Sequence, residues 1–149
     1  MPIGEICNRE VVIVNPDDSV LETARLMRQN HVGNVVVVER RGDKRVPIGI
    51  VTDRDLIMEI IAPELDPKVI TAGDIMSIDF STIKESAGIF EAIQHMRIKG
   101  IRRLPVIDDS DALVGIVTMD DLLVLLAEEL NALARLVARE QQNEASSRR

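Results

Sequence analysis

GIVTDRDL, residues 49–56, returns as GIVTMDDL at residues 115–122, with only the two residues between the threonine and the aspartate changed. A phrase written twice in 149 residues points to a duplicated structural unit. The flanks agree. Residues 6–38 overlaid on 75–107 match a short apolar strand (VVIV at 11–14, FSTI at 80–83), a helix-period segment, and a β-branched strand (VGNVVVVE at 32–39, IRRLPVID at 101–108) in the same order. Val20, Leu21, Ala24 and Met27 share a face of the first helix, as Ile89, Phe90, Ile93 and Met96 do in the second. Ser19 with Glu22 has the spacing of a capping box, where the second half has the weaker cap Gly88. The next turn is ERRGDKR in the first half and the shorter DDSDA in the second, a difference that a surface loop tolerates. Each half thus reads strand, helix, strand, turn, strand, helix, an α/β arrangement whose middle strands form a hairpin.

Neither half, at about 70 residues, buries enough apolar surface alone, so the two sheets are expected to pack together. The stretch APELDPKVITAGD has two prolines and a glycine and reads as the joint. The expected organisation is a first repeat at 1–61, a connecting segment at 62–74, a second repeat at 75–127, and a helical extension at 128–149 whose tail, NEASSRR, frays. In the helical pattern that runs on from Asp121 into that extension, Leu122, Leu126, Leu130, Leu133 and Val137 form one stripe flanked by Leu125, Ala132 and Leu136. The stripe is wider than one contact buries, which favours a subunit interface over a helix packed across its own domain.

A net charge of -7 and a pI near 4.9 leave no dense basic patch, so no nucleic-acid partner is expected. Phe80 and Phe90 are the only aromatics, too few for a base-stacking platform. Cys7 stands alone, which excludes an intrachain disulfide and suits a reducing, cytoplasmic setting. No leader pattern and no unbroken apolar run of membrane-spanning length are present, so a soluble protein with no membrane partner is expected.

Thr52 and Asp55 stand three apart at a strand-to-helix junction, as do Thr118 and Asp121. The plain reading is helix capping, worth about 1 kcal/mol. That leaves Gly49 and Gly115 unexplained, since a glycine ending an apolar strand marks a close approach of backbone or ligand. A carboxylate beside a helix start is suited to accept hydrogen bonds from ribose hydroxyls, and a threonine can donate to a phosphate or sugar oxygen. A nucleoside phosphate is the guest that uses both. An enzyme would have to draw on Asp53, Asp55, Asp120 and Asp121 with His31 or His95 as base, yet no nucleophile elbow, phosphate loop or metal-ligand spacing accompanies them. No catalytic activity is expected.

With PDDSVLETARLM opening the first half and IRRLPVID preceding the second GIVT phrase, the chain resembles a tandem pair of CBS domains, a Bateman module, over about residues 6–126. The resemblance implies two β-α-β-β-α CBS repeats packed with pseudo-twofold symmetry, and clefts that take adenine nucleotides or other adenosyl ligands. Carried over by residue, it gives Asp55 and Asp121 the ribose hydroxyls and Thr52 and Thr118 the ribose or phosphate. The base would lie between Ile101, Leu104 and Pro105, helped by Phe80, Ser77, Ile78 and Asp79, or in the first half between Val11, Val32 and Val35. Arg54, Arg102 and Arg103 would screen phosphate. Pro105 keeps a family proline where the first half has Val36, which favours the second-half slot. The chain is expected to be a stand-alone regulatory module with AMP, ADP or ATP as regulatory ligand and no required cofactor. It would form a homodimer and signal to an unknown protein effector. The rival is a structural or protein-interaction module that binds no nucleotide.

Overall fold

The computed structural model describes residues 1–147 and divides the chain into two compact units, Met1–Val117 and the segment from Thr118 onward. The first half forms β1 (Ile13–Val14), α2 (Val20–Asn30), β2 (Asn34–Arg41), β3 (Lys44–Thr52) and α3 (Asp53–Leu56), which runs on into a π-helical turn at Ile57–Ile61. The second half repeats the order with β4 (Ile83–Lys84), α5 (Ile89–Lys99), β5 (Arg103–Ile107), β6 (Leu113–Thr118) and α6 (Met119–Ser147). Short helices α1 (Ile3–Ile6) and α4 (Ala72–Ile75) precede the two halves.

Each half builds a three-stranded sheet, β1-β2-β3 and β4-β5-β6. The first strand of each sheet lies parallel to the central one, with Ile13 opposite Val36 and Ile83 opposite Val106. The β2–β3 hairpin is antiparallel from Asn34 opposite Thr52 to Arg41 opposite Lys44, and Gly42, at φ 66, closes its two-residue loop. Pro47 sits where the register shifts between Val37 and Val38, one of the few places a strand accepts a residue without N–H. In the second hairpin Asp108 accepts from the Ser110 hydroxyl and from the amides of Ala112 and Ser110, which together hold its carboxyl below the usual range.

Side-chain alternation along β2 feeds two cores. Val35 and Val37 turn toward the helices and pack with Val14, Met27, Val51 and Ala72. Val36 and Val38 turn the other way and meet Ile116 of the second sheet, with Val11, Ile13 and Leu113 around them. That second cluster joins the sheets face to face. It accounts for an unbroken valine run where a one-sided sheet would alternate.

Both long helices of the repeats end in the left-handed region, α2 at His31 (φ 54) and α5 at Gly100 (φ 65). These are matching positions in the two halves. Glycine meets that backbone without strain and histidine does not, so His31→Gly is expected to raise stability by about 1 kcal/mol in denaturant unfolding.

The segments that lead into each repeat are exchanged. Residues 1–8 lie on the second repeat: Ile3 N donates to Ala87 O, Gly4 N to Glu85 O, and Asn8 exchanges both backbone bonds with Ile116. Residues 71–77 lie on the first repeat by the matching contacts: Ala72 N to Asp18 O, Gly73 N to Pro16 O, and Ser77 paired with Ile50. Ala72 is fully buried in the helix-side core of the first repeat, with Ile75 and Met76 against it, and Ile3 is fully buried likewise. The pseudo-twofold relation of the repeats is thus written into reciprocal arms.

Those arms explain Gly49 and Gly115, which lie inside β3 and β6 and do not end them. A Cβ on Gly49 would lie 2.6 Å from Met76 Sδ, and one on Gly115 2.6 Å from Cys7 Sγ and 2.8 Å from Asn8 O. The close approach expected at both sites is made by the partner repeat's arm. Burial on that arm raises the pKa of the Cys7 thiol, despite the opposing field of Arg9.

Candidate functional site

In the first phrase Thr52 Oγ1 accepts from Asp55 N at 3.2 Å, and Asp55 Oδ2 accepts from Thr52 N at 2.9 Å, a complete capping box. The second phrase has the same pair of bonds, Thr118 with Asp121, at 3.1 and 3.2 Å. A third box, unnoticed in the sequence, opens α4: Thr71 and Asp74 bond reciprocally at 3.0 and 3.2 Å. The backbone and hydroxyl donors of Thr71 pull the Asp74 carboxyl below its ordinary value. Three threonine–aspartate pairs therefore cap helices, so capping alone does not distinguish a ligand site.

What distinguishes the first phrase is a cavity of about 380 Å³, within the range of about 300–1,000 Å³ usual for small-molecule clefts. Ile50 and Thr52, two apart on β3 and hence on one face, supply one wall with Asp55 beside them. The opposite wall comes from the second half: Ser77, Asp79, Phe80 and Ser81 before β4, and Gly100, Ile101, Arg102 and Arg103 at the turn into β5. The Ser77–Ile50 bridge, with N···O distances of 2.9 and 3.2 Å, closes the seam between them. Crossing of the arm is what brings the two halves to one cavity.

The expected slot residues fall into two groups. Thr52, Asp55, Ser77, Asp79, Phe80, Ile101, Arg102 and Arg103 converge on the cavity. Leu104 and Pro105 are fully buried core residues of β5, and Ile78 is 75 % exposed. Val35 is likewise fully buried, Val32 packs on the helix-side core and Val11 between the sheets. Arg54 is exposed in the first turn of α3. Thr118 and Asp121 belong to the second compact unit, where they start α6. The sequence pairs the second-half walls with the second-half phrase, whereas the fold sets those walls opposite the first. Ile50, Ser81 and Gly100 were missed; Ile50 was within reach, being two positions before Thr52 on the same strand.

Electrically the cavity is mixed, with Asp55 and Asp79 among its acids and Arg102 and Arg103 among its bases. Arg103 carries the unusual feature: its Nε is buried and makes no hydrogen bond. A buried guanidinium donor without an acceptor is costly and calls for one. His31 caps α2 and His95 lies on α5, and neither lines this cavity. Among the described residues no group of three or more His, Cys, Asp and Glu is placed to hold a metal ion, and no helix is long and apolar enough to cross a membrane.

The CBS domain family matches residues 3–62 and 72–128. An uncharacterized protein of Methanopyrus kandleri is 40% identical over 121 residues, which are 81% of this chain and 60% of that protein. A putative signal-transduction protein with CBS domains from Burkholderia ambifaria is 26% identical, with a TM-score of 0.72 over 85% of this chain and 93% of its own. A CBS domain pair solved with 5′-methylthioadenosine and S-adenosyl-L-methionine shares the fold at a TM-score of 0.73 and 23% identity, over 87% of this chain and 98% of its own. The two matched segments correspond to the two sheets and their exchanged arms, and the chain belongs to the CBS domain family, carrying that domain twice.

Proposed function

We propose that the chain is a regulatory module that binds an adenine nucleotide in the cavity between Asp55 and Arg103, acts as a homodimer and reports occupancy to a protein effector. The observation that carries this reading is the buried, unpartnered Arg103 Nε in the same cavity as Thr52 and Asp55. A phosphate satisfies the guanidinium, and a ribose offers hydroxyl donors to the carboxylate. Ile50, Ile101 and Phe80 give the base an apolar bed. The ligand touches both repeats, so it favours the geometry in which the walls are best placed; that difference in affinity is the only signal it can send.

Calorimetry on ligand-stripped protein tests this with AMP, ADP, ATP, adenosine, 5′-methylthioadenosine and S-adenosyl-L-methionine. A charged hydrogen bond of about 1.5–3 kcal/mol corresponds to AMP binding roughly 10- to 100-fold tighter than adenosine. Arg103→Met should erase that preference and leave adenosine unchanged. If no compound binds, the chain is an interaction module without a nucleotide; equal affinity for AMP and adenosine would remove Arg103 from the site.

A further inference from the structure

We propose that α6 pairs antiparallel with α6 of a second copy of this chain. The family match ends at residue 128, while α6 continues to Ser147. Along it Leu123, Leu126, Leu130, Leu133 and Val137 recur at alternating steps of three and four, the a and d spacing of a two-stranded coiled coil. All are open, at 56, 38, 69, 59 and 54 % exposure. Leu122, placed on this stripe by sequence, is instead buried at 3 %, and Leu123 takes its place. A seam of period 3.5 is what two like helices present to each other, whereas a helix lying on a globular surface shows a broader face of period 3.6. Glu140 and Glu144 take the next two seam positions and end it.

Direction follows from the flanks. The e positions hold Ala127 and Ala134, and the g positions hold Glu129 and Leu136. Opposed helices set e beside e, where small alanines permit close approach, and g beside g, where the exposed Leu136 finds cover. An antiparallel pair centred between Leu130 and Leu133 sets Leu130 opposite the partner's Leu133 and Leu126 opposite the partner's Val137. This pairing stands independently of the ligand reading.

The test uses the full-length chain with Cys7→Ser and a spin label on Gln142→Cys, at an outward position. With a rise of about 1.5 Å per residue, an antiparallel pair puts the labels about 30 Å apart, against roughly 10–15 Å for a parallel one. A sharp distance near 30 Å, lost in the Leu130→Glu, Leu133→Glu chain, is the expected result. A short distance, no defined distance, or one that survives the double substitution overturns the proposal. Nucleotide calorimetry on the doubly substituted chain tests the cavity separately.

Discussion

Asp55→Ala is expected to weaken AMP binding about 10- to 100-fold, the loss that follows when a charged acceptor of ribose hydroxyls is removed. The same change also takes the reciprocal partner from Thr52 and costs about 1 kcal/mol of helix capping, so affinity and stability have to be separated. Two further variants do so. Asp55→Asn keeps an oxygen for the Thr52 amide while losing the charge, so its stability should stay near wild type and its affinity should fall between the two. Asp74→Ala destroys a box of the same construction that does not line the cavity, and it should lower stability with no change in the calorimetric titration. If Asp55→Ala and Asp74→Ala behave alike toward AMP, the first phrase is a helix cap and nothing more.

Gly115→Ala should be the most damaging single methyl in the chain. Its Cβ would stand 2.8 Å from Asn8 O, which already accepts from Ile116 N at 2.9 Å, so the arm cannot retreat without breaking its own bridge. Overpacking of this kind costs about 1–3 kcal/mol, and contact with backbone places it toward the upper end. For a chain of this size the melting temperature should drop by roughly 4–12 °C. Gly49→Ala offers the contrast, because all three of its close neighbours, Sδ, Cγ and Cβ at 2.6, 2.8 and 2.9 Å, belong to the side chain of Met76. Its loss should be smaller and partly recovered by Met76→Ala, a coupling that a double-mutant cycle measures. Equal losses at the two glycines would mean that a backbone neighbour is no harder to displace than a flexible side chain.

The duplicated phrase announced the duplicated fold because strand, glycine, cap and helix are all local signals. The β-branched run at 32–39 likewise announced a strand. The exchange of residues 1–8 and 71–77 was not legible, since it depends on contacts between segments far apart in the chain, and short-range pattern carries no record of them. Three readings turned on it. Gly49 and Gly115 were taken as signs of a close approach without an indication that an arm makes it. The stretch around Thr71 read as part of a connector although it carries a capping box of its own. The second-half walls Phe80, Ile101 and Arg103 were matched to Thr118 and Asp121, whereas the cavity sets them against Thr52 and Asp55. The resemblance put Leu104 and Pro105 in the slot, yet both are fully buried in β5, the central strand of its sheet. On α6 the register slipped by one residue at its start, from Leu123 to Leu122, because both are leucines and only burial tells them apart.

The reciprocal arms also bear on ancestry. A lone repeat would carry a tail with no socket of its own and a socket with no tail, so it could finish folding only by meeting a twin and trading ends, at a rate that falls with dilution. Joining the twins end to end replaces that encounter with one inside a single chain, where each tail finds its socket at an effective concentration of the order of millimolar.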